Sequence, residues 1–252
     1  MKIYAIIPSR YGSTRFEGKP LALIAGRPMI EWVVERVRRC RRVADVAVAT
    51  DDERIFQAVR RFGGRAVMTG QAHPSGTDRV AAAAEEMELD SEDIVINVQG
   101  DQPLIDPRSL DEVIEPLIAD ADLEMSTLAY AIVKSSEITN PKDVKVTFDR
   151  RGNALYFSRS AIPFGRDPHT VFDTYKHLGV YAYRRRFLEV FRSLPEGRLE
   201  AIEKLEQLRA LENGYAIRVV VSGYDSPEVD LPGDIQMIEG CIGDGSPGTG
   251  DH

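Results

Sequence analysis

The uninterrupted apolar run Ile3–Ile7 opens the chain and stops at Pro8. A run this short and this apolar marks a strand covered on both faces. It feeds a polar, glycine-bearing loop over residues 9–20 and then a helix over Pro28–Arg39. There Met29, Ile30, Val33, Val34 and Val37 share one face, and Pro28 suits the first turn. The alternation repeats. Residues 45–50 read as a strand, and Asp51 or Asp52 caps a helix that buries Ile55, Ala58, Val59 and Phe62 before Gly63-Gly64 ends it. Residues 66–69 are a third strand, followed by a loop over 70–78 and an alanine-rich helix over 78–88, capped by Thr77 or Asp78. A strand over 93–98 leads to a helix with Leu110, Val113, Ile114, Leu117 and Ile118 as its stripe. Four strand–helix units in succession predict an α/β fold, a mostly parallel central sheet with helices on both faces.

The middle of the chain changes character. Residues 124–133, 144–149, 153–159 and 175–183 are strand-like with little helix between them, which predicts a smaller strand-rich lobe inserted at about 124–184. Residues 199–214 read as one helix closed by Gly214, and 217–223 as a returning strand. A single domain is expected over 1–238, with a glycine-rich, disordered tail over 239–252.

Among 252 residues the net charge is −8, which argues against a nucleic-acid partner. Two cysteines, Cys40 and Cys241, exclude a disulfide scaffold and suit a reducing compartment. No run approaches the roughly 20 apolar residues that span a bilayer. The expectation is a cytoplasmic protein with no membrane partner.

Several familiar patterns fail on inspection. Gly12–Lys19 has the wrong spacing for a Walker A loop and is followed by Pro20 instead of a hydroxyl residue. Gly243, Gly245 and Gly248 spell a dinucleotide fingerprint without the strand and helix that give it meaning. The histidines have no zinc spacing, and no G-x-S-x-G elbow exists.

What remains is a charged constellation at the ends of the predicted strands, where open parallel sheets bind ligands. Residues 9–27 hold four cations, Arg10, Arg15, Lys19 and Arg27, against Glu17, a local +3 in an acidic chain. Cations beside flexible glycines suit a polyphosphate. Asp101, just past the strand at 93–98, is placed to hold Mg²⁺, an ion commonly bound by one or two carboxylates plus phosphates. Asp230 is a weaker second carboxylate. Ser75, Gly76 and Thr77 form another loop at the same edge, equally consistent with nucleotide contacts and with plain capping. Glu206 and Gln207, in LEQLR, and His177 with Tyr181, in YKHLGVYAY, are polar residues that either face solvent or reach a hydroxylated substrate.

Taken in order, IIPSRYGSTRFEGKPL, VATDDERI, MTGQAHPSGTDRV, VINVQGDQPLI, ALYFSRSAIPF, YKHLGVYAYRRRF, EKLEQLRALENG and EVDLPGDI resemble the 3-deoxy-manno-octulosonate (Kdo) cytidylyltransferase family over nearly the whole chain. The resemblance implies a Rossmann-like nucleotidyltransferase fold, a homodimer, and an enzyme joining CTP to Kdo with release of pyrophosphate, for lipopolysaccharide synthesis. It implies that Arg10, Arg15 and Lys19 bind the CTP phosphates, with Ser75, Gly76 and Gln99 near the nucleotide. Lys19, Arg15 and Asp101 would be catalytic, Asp101 and Asp230 would hold Mg²⁺, and Arg159, His177, Tyr181, Glu206 and Gln207 would line the sugar site. GDQPLIDP, IPFGRD and YKHLGVYAY also resemble a sub-branch using 8-amino-3,8-dideoxy-manno-octulosonate, which leaves the sugar open. The alternatives are a cytidylyltransferase for another acid sugar, such as a sialic acid, or a non-catalytic CTP-binding homologue. The chain departs from the family pattern at Glu17, Gln102, Leu231 and Gly233.

Overall fold

The computed structural model describes residues 1–12, 15–71, 73, 75–167 and 169–243. The chain runs β1 (Ile3–Ser9), a 3₁₀ turn (Lys19–Leu21), a short hairpin of β2 (Leu23–Ile24) and β3 (Arg27–Pro28), and α1 (Met29–Arg38). It continues through β4 (Asp45–Thr50), α2 (Glu53–Arg61), β5 (Arg65–Met68), α3 (Gly76–Glu86), β6 (Ile94–Asn97), α4 (Pro107–Ala119) and β7 (Met125–Ala131). Then come α5 (Ser135–Thr139), β8 (Lys145–Phe148), β9 (Ala154–Ser158), β10 (Tyr175–Arg184), α6 (Arg185–Ser193), α7 (Arg198–Glu203), α8 (Leu208–Glu212), β11 (Arg218–Val221) and α9 (Asp234–Gly243).

The main sheet has the order β11-β7-β10-β6-β1-β4-β5. β5, β4, β1 and β6 pair in parallel, as do β7 and β11, while β10 pairs antiparallel with both β6 and β7. β10 alone therefore runs against the other six, and the expected mostly parallel α/β sheet is borne out. Of the strand-rich segment, the β8–β9 hairpin leaves this path, branching from the start of β10 through Tyr175 and Lys176.

Alternation along β1 explains why it is covered twice. Ala5 and Ile7 join a core with Ile30, Val33 and Val37 of α1, Ile55 and Val59 of α2, and Leu110, Val113 and Ile114 of α4. Ile6 points the other way, into a core with Val80 and Ala84 of α3 and Phe187, Leu188 and Phe191 of α6. Helices lie on both faces because each β-α crossover must return on one side of the sheet or the other.

Three expectations are corrected. The helix expected over 199–214 is broken: α7 ends at Glu203, capped by Lys204 at φ 54°, and α8 begins only at Leu208. A left-handed lysine costs about 1–2 kcal/mol. The buried Arg209 fork on Glu200 (2.9 and 2.5 Å) and the Glu206–Thr77 hydrogen bond (2.5 Å) offset it, and both need the chain to turn here. The expected tail is helical through Gly243, because Ile235, Ile238 and Ile242 pack against Ile24 and Met29; residues 244–252 lie outside the described residues. Finally, α3 starts at Gly76, and its cap is Ser75, whose Oγ accepts from the Asp78 N–H at 3.2 Å. Asp52 caps α2, as one of the two expected residues.

Candidate functional site

Parallel strands place their following loops at one edge of a sheet. The loops after β1 and β6, and the N-terminus of α3, meet there around a cavity of ≈300 Å³. Arg10, Arg15, Lys19, Ser75, Gly76, Gln99 and Asp101 all line it. Gly100 makes the turn possible, since a Cβ there would stand 2.7 Å from Ser9 Oγ and 3.3 Å from the Pro8 carbonyl oxygen. Arg27 is elsewhere: it pairs with Glu31 and Glu35 and stacks on Trp32, so only three of the four cations reach the cavity wall.

Because β10 runs in reverse, its first residues lie at this same edge. They help to wall a second cavity of ≈650 Å³, lined by Arg159, His177, Tyr181, Glu206, Gln207 and Asp230. Arg15, Gln99 and Asp101 line both cavities. Every residue that the family resemblance assigned to the site thus falls on one of two adjoining walls, whereas Arg27 and Thr77 line neither.

The charges at the junction are paired with one another. Lys19 Nζ donates to Asp101 Oδ2 at 2.5 Å and to the Val229 carbonyl at 3.0 Å, and lies 4.0 Å from Asp230 Oδ1. Arg15 grips both oxygens of Asp230 at 3.0 Å, and Lys142 approaches it at 3.5 Å. Asp101 Oδ1 is buried without a partner among the described residues.

The wall of the larger cavity is built from polar side chains hydrogen-bonded to one another. Thr127 Oγ1 donates its single proton to the Val180 carbonyl at 2.7 Å, so it accepts from His177 Nε2–H at 2.9 Å. That leaves His177 Nδ1 as an acceptor. The ring packs against Phe157 and Tyr181, and burial pushes its pKa down to about 3, so it is neutral at pH 7. Gly179 takes φ 68° in the bulge between His177 and Tyr181, a conformation that favours glycine, and its carbonyl accepts from Gln99 Nε2 at 3.0 Å. Glu206 Oε1 accepts from Thr77 Oγ1 at 2.5 Å, and burial raises its pKa. Gln207 is buried with Nε2 unpartnered among the described residues. Arg159 reaches the carbonyls of Glu203 and Pro141 at 2.8 and 2.9 Å.

The sequence reading missed three residues. Arg79 lines the smaller cavity, buried and tied to Thr69 Oγ1 (2.7 Å) and Asp51 (3.0 Å); an arginine opening an alanine-rich helix was its signal. Lys142, beside Asp230, had none. Glu228 lines the larger cavity with an exposed side chain and accepts from Gln102 Nε2 at 3.2 Å. Desolvation by the surrounding cavity wall first, then the charges of Asp101 and Asp230, push its pKa up to about 8.

The departures from the family pattern also find places. Glu17 is exposed and lines neither cavity. Gln102 is fully buried and donates to the Leu178 carbonyl at 2.5 Å as well as to Glu228. Leu231 is exposed and Gly233 has open space around it, while Asp234 ties the loop by accepting from the Asp230 and Leu231 N–H groups, both at 2.8 Å.

A family model described as cytidylyltransferase matches residues 4–218. The chain belongs to the cytidylyltransferase family. A 3-deoxy-manno-octulosonate cytidylyltransferase from Desulfosudis oleivorans is 64% identical over 242 residues, covering 96% of this chain and 98% of that protein. An 8-amino-3,8-dideoxy-manno-octulosonate cytidylyltransferase from Shewanella amazonensis is 54% identical over 95% of this chain and 98% of its own length. Among solved structures, a CMP:2-keto-3-deoxy-manno-octonic acid synthetase complexed with CTP superposes with a TM-score of 0.91 at 42% identity, covering 98% of this chain and all of that one. The resemblance read from the sequence motifs is therefore upheld, and the fold is that of these cytidylyltransferases. No helix among the described residues is long and apolar enough to cross a membrane.

Proposed function

We propose that this chain transfers the cytidylyl group of CTP to the anomeric hydroxyl of a Kdo-type eight-carbon acid sugar, releasing pyrophosphate and forming a CMP-sugar for lipopolysaccharide assembly. One observation carries this reading: two cavities, one cation-lined and one lined by hydrogen-bonded polar side chains, adjoin at Arg15, Gln99 and Asp101. A transfer at phosphorus needs its two reactants held in line with their charge neutralised.

Arg10, Arg15 and Lys19 bind the phosphates, and the N-terminus of α3 at Ser75–Gly76 adds backbone N–H groups of the kind that favour anions. The acid sugar occupies the larger cavity. Arg159 faces its anionic charge, His177 Nδ1 accepts from a hydroxyl, Gln207 Nε2 donates, and Tyr181 and Glu206 complete the wall. The sugar oxygen, giving up its proton to water, forms a bond to the α-phosphorus as the bond from that phosphorus to the bridging oxygen breaks. Arg15 and Lys19 hold the departing pyrophosphate.

The residues fit Mg²⁺. Among the described residues no three His, Cys, Asp or Glu converge as a cage, but two carboxylates suffice for an ion that completes its shell with phosphate and water. Asp101, with its buried unpartnered oxygen, and Asp230 would hold it. Bound there, the ion would supply Lewis acidity toward the α-phosphate. With Asp101 and Asp230 holding the ion, Lys19 and Arg15 would be free to face the phosphates.

A cytoplasmic setting follows from both substrates being metabolites. A homodimer is supported by exposed apolar side chains on the segment between β9 and β10, where Phe164 and Val171 are 87% and 97% exposed. The test is pyrophosphate release with CTP, Mg²⁺ and either Kdo or its 8-amino analogue. Release that requires both nucleotide and sugar supports the reading, and no release with either sugar overturns it.

A further inference from the structure

One wall of the larger cavity carries a charge pattern that transfer at Asp101 does not use. Lys176, at the start of β10, is held between two carboxylates, 2.8 Å from Glu137 Oε1 and 2.9 Å from Asp225 Oδ2. Its side chain is 10% exposed. Burial alone would lower its pKa, but hydrogen bonds to Asp225 and Glu137 raise it, so the lysine stays charged. Two carboxylates on one ammonium leave a net −1.

Two further atoms show that this wall is incomplete as it stands. Glu137 Oε2, the oxygen that Lys176 does not use, is buried with no partner among the described residues. Ser226, 5% exposed and next to Asp225, likewise has an unpartnered, buried Oγ. Glu137, Asp225 and Ser226 all line the cavity. Lys134, a further cation on its lining, is exposed, where solvent screens it.

A buried acceptor left unpaired is costly, and a ligand that donates to it gains what the free protein lacks. An anion is repelled by the net charge. A hydroxyl offers one donor and no charge. A protonated primary amine offers three donors and the complementary charge.

We propose that Glu137, Asp225 and Ser226 form a subsite for a protonated amine at the end of the sugar remote from the reacting hydroxyl, so that this chain prefers the 8-amino-3,8-dideoxy sugar to Kdo. The proposal rests on the cytidylyltransferase reading. It runs against simple ranking by identity, since the Kdo-named relative quoted above is the more similar of the two.

The test is kcat/KM for pyrophosphate release with each sugar, in the native chain and in Glu137→Gln, Asp225→Asn and Ser226→Ala. The native enzyme is expected to favour the amine by about ten-fold or more, the scale of a charge-assisted hydrogen bond. Each carboxylate variant should lower that ratio by about ten-fold, and Ser226→Ala, which keeps all charges, by a few-fold. Thermal melting identifies any variant that has lost its fold, and the serine variant, which removes one oxygen, serves if both others have. A native ratio at or below one overturns the proposal alone, as does an unchanged ratio in folded variants. Release from neither sugar overturns the cytidylyltransferase reading and the proposal with it.

Discussion

The smaller cavity is walled by loops that follow parallel strands, whereas the larger one is walled by the reversed strand β10, a broken helix and the loop after β11. The first wall draws Arg10, Arg15 and Lys19 from a single loop. The second presents mutually hydrogen-bonded groups drawn from distant segments: Thr127 to His177, Thr77 to Glu206, Gln102 to Glu228. A phosphate can be held by density of charge alone. A polyhydroxylated sugar needs donors and acceptors fixed one by one, which only tertiary structure can arrange.

The difference can be broken at the junction first. Asp101→Asn should lower turnover by about a thousand-fold or more while both substrates still bind, because it removes a carboxylate from the point the cavities share. Stopped-time pyrophosphate assays check this, and near-normal turnover would remove Asp101 from the chemistry. Next in size, Lys19→Ala should cost about 1.5–3 kcal/mol in kcat/KM for CTP, the range for a charged hydrogen bond. Unchanged CTP kinetics would mean that the cationic wall does not grip phosphate.

The larger cavity makes a separate prediction in pH. His177 is held near pKa 3 in the folded state against about 6.5 unfolded. Between those values the unfolded chain binds the extra proton, so stability falls as pH drops through that window, by up to about 1.4 kcal/mol per pH unit. Urea melts from pH 7 to 4 should show this slope, and His177→Gln should flatten it; an equal slope in both would place the histidine in a solvated setting. Smallest of all, Glu17→Ala should change stability and CTP kinetics by less than about 0.5 kcal/mol, since its side chain is exposed and off both walls. A marked effect on KM for CTP would bring Glu17 back to the phosphates.

The same contrast explains what could be read from sequence. β1, β4, β6 and their helices announce themselves through apolar runs and a 3.6-residue stripe, because local pattern and burial agree there. The helix break at Lys204 could not be read, since Leu205, Leu208 and Leu211 keep a helical spacing. What breaks the helix is Glu200 meeting Arg209 and Glu206 meeting Thr77. In α9 the apolar stripe Ile235, Ile238, Ile242 was present but overshadowed by the glycines beyond it. Glu228 carries no signal in the sequence beyond its place two residues before Asp230; only the fold sets it beside Gln102.

The account turns on one cavity per substrate, meeting at a shared wall. Its most direct test is a crossed measurement of KM for CTP and for the sugar in Arg10→Ala and Gln207→Leu. The arginine variant should raise KM for CTP while leaving the sugar's within about two-fold, and the glutamine variant should do the reverse. A Gln207 variant that weakens CTP as much as the sugar would contradict it.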